Sequence, residues 1–327
     1  MRDADTYSLV ADVGGTNTRV ALARGAAVDP RSVRRYSNAA FAGMAEVMER
    51  YLADEGGVDC AGAAVCVAGP VRDEVGALTN IDWRIDKPTL AQATRAEHVA
   101  ILNDLQAQGQ ALGAIDAAAV RTVLPGPEGG PYAAKLVIGI GTGFNAAPVW
   151  EAEQGRLVPP SECGHSNLPI RTEAELRLCR FVETAHGFPA VEDVLSGRGL
   201  ERVYKWLGHE AGDTVEKSAA EIVAAAADGT DPRAAEAAEV FVRILGTVAG
   251  NLALIHLPFG GIWLIGGVAR AFKPWLQQSP FADAFRDKGR FASFMRNFGV
   301  GLIEDDYAAL TGMASFLSRE VADQRAS

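Results

Sequence analysis

The chain has 327 residues, of which 48% are hydrophobic, so it can bury a sizeable core and is not an intrinsically disordered chain. This length predicts two domains or lobes, because single hydrophobic cores stop growing at about 250–300 residues. The formal net charge of −10 argues against a general nucleic-acid-binding protein, which needs a basic surface.

The cysteine pattern and the N-terminus predict the compartment. The four cysteines, at positions 60, 66, 163 and 179, form no Cys-x-x-Cys pair, and free thiols in a reducing compartment are the simplest account. The N-terminus leads into an apolar strand without a signal-peptide pattern. No apolar run approaches the roughly 20 residues of a membrane span. We therefore expect a cytoplasmic protein with no membrane or nucleic-acid partner.

The N-terminal segment predicts a strand, a tight turn and a returning strand. Residues 7–11 are an apolar run that ends at Asp12, Gly14-Gly15 is a turn signal, and residues 18–23 alternate. Further on, the patterns predict strands at 32–36, 61–68, 75–79 and 98–102, and helices at 41–53 and from Asp86 to about 95. This order predicts a mixed sheet with helices on its faces.

The first turn has the composition of a phosphate site. A glycine-rich bend directs several backbone N–H groups to one side, and such a nest can hold a phosphate. Asp12 could hold the water shell of a Mg²⁺ ion that accompanies the phosphate. A hydroxyl, an amide and a cation are added by Thr16, Asn17 and Arg19. The alternative is an ordinary hairpin with Asp12 bonded to its own turn. The whole pattern Asp-x-Gly-Gly-Thr-Asn-x-Arg favours the nucleotide site.

The second half repeats the opening pattern. The turn-rich segment 125–131 predicts a lobe boundary or a surface loop. After it come a strand at 135–140, a Gly/Thr turn at 141–143 and a return strand at 145–150. The same strand–turn–strand order therefore heads each predicted lobe, although a plain hairpin is an equal alternative for this turn alone.

The remainder is mostly helical. Helices are predicted at 171–185, 192–207 with a turn at Gly197, 218–227, 231–257, 271–277 and 305–320. The helix at 231–257 carries an apolar stripe predicted to lie in the core, formed by Phe241, Ile244, Leu245, Val248, Leu252 and Ile255, and its Gly246 and Gly250 predict close packing. A buried strand at 262–265 ends in Gly266-Gly267, where an adenosine could lie against the backbone; a tight strand-to-helix turn is the alternative.

Several motifs in this order resemble the bacterial glucokinase family, within the actin-like ATPase superfamily. They are Asp12-Val-Gly-Gly-Thr-Asn-Thr-Arg19, Thr79-Asn80-x-x-Trp83, Leu102-Asn-Asp104, Ser161-Glu-Cys-Gly-His165, Glu192-Asp-Val-Leu-Ser-Gly197, Phe259-Gly-Gly-Ile262, Ile265-Gly-Gly267 and Asp287-Lys-Gly-Arg-Phe291. They span nearly the whole chain.

The resemblance implies an α/β fold of two actin-like (ribonuclease H-like) lobes, with mixed sheets flanked by helices and a cleft between the lobes. The small lobe would comprise residues 1–110 with a C-terminal helix at about 305–327, and the large lobe residues 111–304. The implied reaction is ATP- and Mg²⁺-dependent phosphorylation of glucose to glucose 6-phosphate, and the implied assembly is a homodimer.

The resemblance also implies roles for individual residues. Asp104 would be the general base, and the sugar would contact Asn80, Asn103, Asp104, Glu162, His165 and Glu192. The nucleotide would contact Ala11, Asp12, Val13, Gly14, Gly15, Thr16, Asn17, Arg19, Thr142, Gly143, Gly266 and Gly267. From the residues alone, Asp104 could instead cap the helix that starts near Gln106, although the Asn-Asp pair at a strand end favours a functional role. Without the resemblance, His165 is better interpreted as a loop histidine whose hydrogen bonds are satisfied.

The chain departs from the family pattern at two places. Ser161 and Cys163 stand where glycines usually flank Glu162, and Asn145 stands at the second glycine of Gly-Thr-Gly-Leu-Gly. These departures keep two alternatives open: a kinase for another hexose or an amino sugar, and a catalytically weak sugar-binding relative. A repressor with a DNA-binding segment is not expected, because only eleven residues precede Asp12.

Overall fold

A computed structural model describes residues 7–78, 81–153 and 155–326. Its contacts divide the chain into two compact units. The first unit comprises Met1–Ala117 and Asp305–Ser327, and the second unit comprises Ala118–Glu304. The C-terminal segment thus returns to the unit in which the chain begins.

The described residues form the following elements. The strands are β1 (Tyr7–Val13), β2 (Asn17–Arg24), β3 (Ala27–Val28), β4 (Arg34–Ser37), β5 (Cys60–Val67), β6 (Val71–Arg72), β7 (Val75–Ala77), β8 (Arg84–Asp86), β9 (His98–Asn103), β10 (Val120–Leu124), β11 (Lys135–Ile140), β12 (Phe144–Ala152), β13 (Gly155–Leu157), β14 (Ile262–Ile265) and β15 (Val300–Ile303). The α-helices are α1 (Met44–Asp54), α2 (Lys87–Thr94), α3 (Asp104–Ala111), α4 (Glu173–His186), α5 (Gly197–Glu210), α6 (Ala219–Asp228), α7 (Pro232–His256), α8 (Gly267–Ala271), α9 (Lys273–Leu276), α10 (Ser279–Arg286) and α11 (Ala308–Ala326).

The first unit is built on a mixed sheet with the strand order β3-β2-β1-β5-β9, and β4 pairs with β2. The β1–β2 pair is antiparallel, whereas β1, β5 and β9 run parallel. Side chains alternate along β1: Leu9 and Val13 pack with α1 and α2, and Val10 packs with α3 and α11. The predicted mixed sheet flanked by helices is confirmed here.

Helix α11 approaches α3 closely because small residues line their contact. A Cβ atom added at Gly312 would lie 1.7 Å from the backbone oxygen of Ala107 in α3. The sheet face beneath these helices is also small, with Ala21, Ala64 and Ala100 all buried in the same cluster. Close packing of the returning helix therefore depends on the absence of a side chain at position 312.

The second unit repeats this strand plan in a sheet of order β10-β15-β14-β11-β12-β13. Its hairpin β11–β12 is antiparallel, and β11, β14 and β15 run parallel. Each unit therefore contains an antiparallel hairpin followed by two parallel strands on the same side. The strand–turn–strand pattern predicted at the head of each half therefore forms the antiparallel hairpin of each sheet, and the fold is actin-like.

Helix α7 forms the centre of the second unit's core. It is long and apolar enough to cross a membrane by length and composition, but 72% of its most apolar window is buried in the protein. Gly246 and Gly250 lie against α10, where added Cβ atoms would come within 2.4 and 2.6 Å of backbone oxygens of Phe281 and Phe285. The predicted core stripe ends at Leu252, because Ile255, in the last turn, is 69% exposed.

The structure corrects one sequence prediction, adds two strands that were missed and decides one open alternative. Gly197 is the first residue of α5, with Ser196 as its cap, so the predicted helix at 192–207 is a short turn followed by a later helix. Strands β10 and β15 were not predicted, although they pair with each other. Segment 125–131, predicted to be a lobe boundary or a surface loop, is an exposed loop inside the second unit, so that the surface-loop alternative is confirmed.

We expect Gly312→Ala to destabilise the protein, although alanine is the better helix former. Alanine gains about 1 kcal/mol of helix propensity, whereas overpacking against rigid backbone costs typically 1–3 kcal/mol or more. Urea unfolding measures the difference, with Gly130→Ala as the control, because nothing lies within 4 Å of a Cβ at Gly130. Equal or greater stability of Gly312→Ala would contradict the close helix contact.

Candidate active site

The polar residues of the first unit gather at the carboxyl end of its parallel strands. Asp12 on β1 pairs in register with Cys66 on β5, and Cys66 pairs with Leu102 on β9. Asn103 and Asp104 follow Leu102 directly. Since parallel strands end on the same side of a sheet, Asp12 and Asp104 reach the same end, where ligands of open α/β sheets bind.

The buried Asn38, with an exposed fraction of 3%, stabilises the turn after β1 through its side chain. Its Nδ2 donates to the Gly14 oxygen at 2.8 Å, and its Oδ1 accepts from the Thr18 hydroxyl at 2.8 Å. Within the turn, the Gly14 N–H donates to the Asn17 oxygen at 3.0 Å. The N–H groups of Gly15 and Thr16 have no partner in the described part of the chain. They remain available to an anion, as a phosphate nest requires.

Asp12 contacts neighbouring strands rather than its own turn. Its Oδ2 lies 3.6 Å from Nη1 of Arg19 on β2, and its Oδ1 lies 3.6 Å from the thiol of Cys66 on β5. Burial raises the pKa of Asp12, and Arg19 and Cys66 oppose this rise without cancelling it. Burial, with the nearby charges of Asp12 and Asp104, also raises the pKa of the Cys66 thiol. Arg19 and Cys66 are thus the described groups that stabilise the charged form of Asp12.

A cavity of about 200 Å³ opens beside this carboxylate. Its lining includes the turn and two guanidinium groups; the residues are Asp12, Gly14, Thr16, Asn17, Arg19 and Arg35. Arg35 was missed by sequence reasoning, because no motif marks it. Its position across the sheet from Arg19 would have identified it once the pairing of β4 with β2 was known.

Asn103, rather than Asp104, is the cap of α3. The Asn103 Oδ1 accepts from the Gln106 N–H at 2.6 Å, and the Gln106 side chain returns a bond to the Asn103 N–H. Asp104 is the first helical residue and accepts from the Leu105 N–H at 2.8 Å. Because Asn103 supplies the cap, the role of Asp104 as the helix cap is not needed, and its partly exposed carboxylate lies at the carboxyl end of β9.

In the second unit, three segments meet at the carboxyl end of β11. The Gly197 N–H at the start of α5 donates to the Gly141 oxygen at 2.9 Å, beside Thr142 and Gly143. Gly266 has a φ of +108°, and a Cβ there would lie 2.3 Å from the Ile140 oxygen. Gly266 therefore has to be glycine, and it brings the Gly266-Gly267 turn against the turn at 141–143.

Glu192 and Glu162 lie beside neighbouring residues of β12. The Glu192 Oε2 accepts from the Phe144 N–H at 2.9 Å. The Glu162 Oε2 lies 3.4 Å from Nδ2 of Asn145. Both carboxylates are thus placed by the strand that follows the 141–143 turn, and this brings two of the predicted sugar contacts together.

The residues that depart from the family pattern contact one another. The Nδ2 of Asn145 donates to the Ser161 oxygen, and its Oδ1 accepts from the Cys163 N–H at 3.1 Å and lies 3.5 Å from the Cys163 thiol. The Asn145 side chain therefore ties β12 to the loop that carries Glu162. Burial raises the pKa of the Cys163 thiol, so that this cysteine is a weak nucleophile.

Two further predicted sugar contacts have different outcomes. His165 is exposed at the end of the short turn Cys163–His165, and its ring has no hydrogen-bond partner among the described residues. Both the sugar contact and the loop-histidine alternative therefore stay predictions for His165. Asn80 lies outside the described residues.

Comparison with known proteins agrees with this arrangement. A family model described as glucokinase matches residues 9–320. The glucokinase of Sinorhizobium medicae (strain WSM419) is 33% identical over 317 residues, which cover 94% of this chain and 91% of that protein.

Two solved structures are similar in fold. The crystal structure of a glucokinase from an Antarctic psychrotroph has a TM-score of 0.84 at 28% identity and covers 95% of this chain and 98% of its own. A ROK family glucokinase from Streptomyces griseus, in complex with glucose and AMPPNP, has a TM-score of 0.66 at 20% identity, covering 95% and 99%.

The duplicated fold and the polar strand ends define an actin-like sugar kinase. The match over most of the chain identifies it further: this chain belongs to the glucokinase family.

We expect Asn145→Gly to weaken sugar binding selectively. The variant loses the bonds that tie the Glu162 loop to β12, each worth a factor of about two to ten. The KM for glucose should therefore rise about two- to tenfold, with little change in the KM for ATP. Asn297→Ala is the control, because it removes an amide bond to Phe294 elsewhere in the second unit. A glucose KM that is unchanged in Asn145→Gly would show that Glu162 needs no such support.

The raised pKa of Asp12 gives a prediction for stability. Ionised Asp12 is disfavoured in the folded protein, and this cost disappears as the pH falls below its folded pKa. Asp12→Asn should therefore not lower the free energy of unfolding at pH 7, and any gain over the wild type should shrink towards about pH 4.

Asp86→Ala provides the contrast. The Thr89 N–H lowers the pKa of Asp86 at the cap of α2, so this variant should lose stability at pH 7. If Asp12→Asn loses as much stability as Asp86→Ala, Asp12 is a structural residue.

Proposed function

We propose that the protein transfers the terminal phosphoryl group of ATP to the 6-hydroxyl of glucose. The observation that carries the proposal is the placement of Asp104 beside Asn103 at the carboxyl end of β9, on the same sheet end as Asp12 and the phosphate nest. The S. griseus structure supports it further, since that related fold holds glucose and AMPPNP together.

Each unit, taken by itself, offers side chains that can bind sugar hydroxyls. The second unit offers two carboxylates, Glu162 and Glu192, and the imidazole of His165, which together supply acceptors and a donor for vicinal hydroxyls. The first unit offers Asn103, whose Oδ1 is used by the helix cap while its Nδ2 has no partner in the described part of the chain. A sugar hydroxyl can accept from that Nδ2.

The nucleotide would contact the glycine turns. In the first unit these are the N–H groups after β1, within the segment Ala11–Asn17, with Arg19 beside them. In the second unit they are Thr142-Gly143 and Gly266-Gly267. Phosphoryl transfer needs alignment and charge compensation more than covalent chemistry, and backbone donors with a guanidinium supply both.

Mg²⁺ fits the chemistry of Asp12. Among the described residues no group of three His, Cys, Asp or Glu side chains forms a metal cage. A single carboxylate suits Mg²⁺, which keeps several waters and is bound through one or two carboxylates plus substrate phosphates. When bound, the ion would neutralise charge on the phosphates. Burial disfavours the charge of Asp12, so a cation there would be stabilising.

Asp104 would accept the proton of the 6-hydroxyl as the oxygen attacks phosphorus. The bond between the sugar oxygen and the γ-phosphorus forms as the bond from that phosphorus to the bridging oxygen breaks, so that ADP leaves with the bridging oxygen and the hydroxyl proton moves to the Asp104 carboxylate. The placement at the first residue of α3 fixes its backbone while leaving the cap to Asn103. A homodimer and a cytoplasmic location remain predictions alongside this mechanism.

Asp104→Asn tests the mechanism. Asparagine preserves the size and most hydrogen bonds of aspartate but cannot accept the proton, so kcat should fall by about 10²- to 10⁴-fold. The KM for glucose should change much less, because an amide still bonds a hydroxyl. Steady-state kinetics of ADP release with glucose measure both constants.

A thermal melt of Asp104→Asn is the control for folding. A variant with near-normal kcat would remove Asp104 from the mechanism. A variant that loses stability and glucose binding together would make Asp104 a structural residue.

A further inference from the structure

Three charged residues lie in a row across the first unit's sheet. In the β1–β2 pair Asp12 is opposite Arg19, and in the β2–β4 pair Arg19 is opposite Arg35. Residues directly opposite in antiparallel strands point to the same face of the sheet. All three line the cavity of about 200 Å³ beside the phosphate nest.

The two arginines of this row differ in their partners. Arg19 lies 3.6 Å from Asp12 and donates to the Asp306 oxygen at 3.4 Å. The exposed Arg35 has no ion pair or hydrogen bond from its guanidinium in the part of the chain that the structure describes. The guanidinium of Arg19 therefore has partners within the protein, whereas that of Arg35 has none among the described residues.

The next residue on β4 shows that this is not general to the strand. Arg34 pairs with Glu55 at 2.7 Å and donates to the Arg31 oxygen at 2.6 Å. Successive residues of a strand point to opposite faces, so Arg34 and Arg35 point away from each other. Of these two arginines of β4, only Arg35 lies on the same face of the sheet as Asp12 and Arg19.

An arginine opposite an arginine is unfavourable, since like charges directly across a strand pair repel. One carboxylate, Asp12, faces two guanidinium groups in the row, so the cavity is short of one negative charge. An anion in the cavity would supply that charge, and the unpartnered N–H groups of Gly15 and Thr16 belong to the turn that lines the same cavity.

We propose that Arg35 is a nucleotide-binding residue whose guanidinium binds a phosphoryl group of ATP. A planar guanidinium can donate two parallel bonds to a phosphate, which an ammonium cannot. Arg19 supplies only part of the positive charge beside the nest, because it is held by Asp12 and Asp306. Arg35 adds a second cation there. The inference rests on the proposed function for the identity of the anion.

The test compares Arg35→Ala, Arg35→Lys and Arg34→Ala. The first measurement is the rise in melting temperature on adding MgATP without sugar, which needs no turnover. The rise should be lost or much reduced in Arg35→Ala, partly kept in Arg35→Lys and unchanged in Arg34→Ala. Without nucleotide, Arg35→Ala should melt no lower than the wild type because repulsion with Arg19 is relieved, whereas Arg34→Ala should melt lower.

The second measurement is kinetic. The KM for ATP should rise about ten- to a hundredfold in Arg35→Ala, the range of a charge-assisted contact, with the KM for glucose unchanged. Wild-type values of both the MgATP-induced shift and the ATP KM in Arg35→Ala would overturn the proposal. An equal rise in both KM values, or a lower melting temperature without nucleotide, would also overturn it by showing a structural role.

The experiments distinguish a failure of the proposed function from a failure of the assignment of Arg35. If the wild type phosphorylates no hexose but its MgATP-induced shift still depends on Arg35, the proposed function fails and the assignment of Arg35 stands. If the wild type phosphorylates glucose and Arg35→Ala behaves like it, only the assignment of Arg35 fails.

Discussion

The first unit is organised around one partly buried carboxylate, that of Asp12, at the end of a strand. Burial disfavours the charge of Asp12, and the neighbouring Arg19 and Cys66 compensate only in part. Because β1 lies between β2 and β5, the sheet holds Arg19 and Cys66 on either side of Asp12. This placement limits the unfavourable free energy of the charged carboxylate. The same register brings Asp104 to this sheet end and directs the turn at 14–16 over it. Our proposal of a metal-bound phosphate at this turn rests on this carboxylate and on the N–H groups of Gly15 and Thr16, which have no partner among the described residues.

The second unit uses the same strand plan with different chemistry. Its turn at 141–143 follows β11 as the turn at 14–16 follows β1, but no carboxylate ends β11. Instead, carboxylates arrive from neighbouring loops, with Glu192 on the Phe144 N–H and Glu162 beside Asn145. The duplicated framework thus supplies backbone donors twice, and the side chains that distinguish the two ends differ.

Elements whose bounds are set by local sequence signals were predicted correctly from the sequence. Strands β11 and β14 have the predicted bounds, because an apolar run between two turn signals favours a strand. Asp86 is the predicted cap of α2, because an acidic residue shortly before a proline favours a helix start. Helix α5 was misplaced because Gly197 was interpreted as a helix breaker, while in the structure its N–H bonds to Gly141, a partner 56 residues away along the chain.

The candidate site was predictable where a motif is contiguous, as in the segment from Asp12 to Arg19. Residues that depend on tertiary contacts were not. Asn38 supports the first turn across a gap of 24 residues, Arg35 enters only through the β2–β4 register, and the contact of Asn145 with Cys163 joins two positions that looked like unrelated departures. That contact also shows how the chain accommodates both departures in one network.

The roles proposed for Asp104 and for the sugar-contacting residues depend on phosphorylation of glucose at its 6-hydroxyl by this chain. The most direct measurement is to incubate the folded wild-type protein with ATP, Mg²⁺ and a panel of hexoses and amino sugars, following ADP release and identifying each product by ³¹P NMR. We expect sugar-dependent ADP release that is greatest with glucose, with the phosphate on the 6-hydroxyl. ADP release that no sugar in the panel stimulates, from protein shown to be folded, would contradict it.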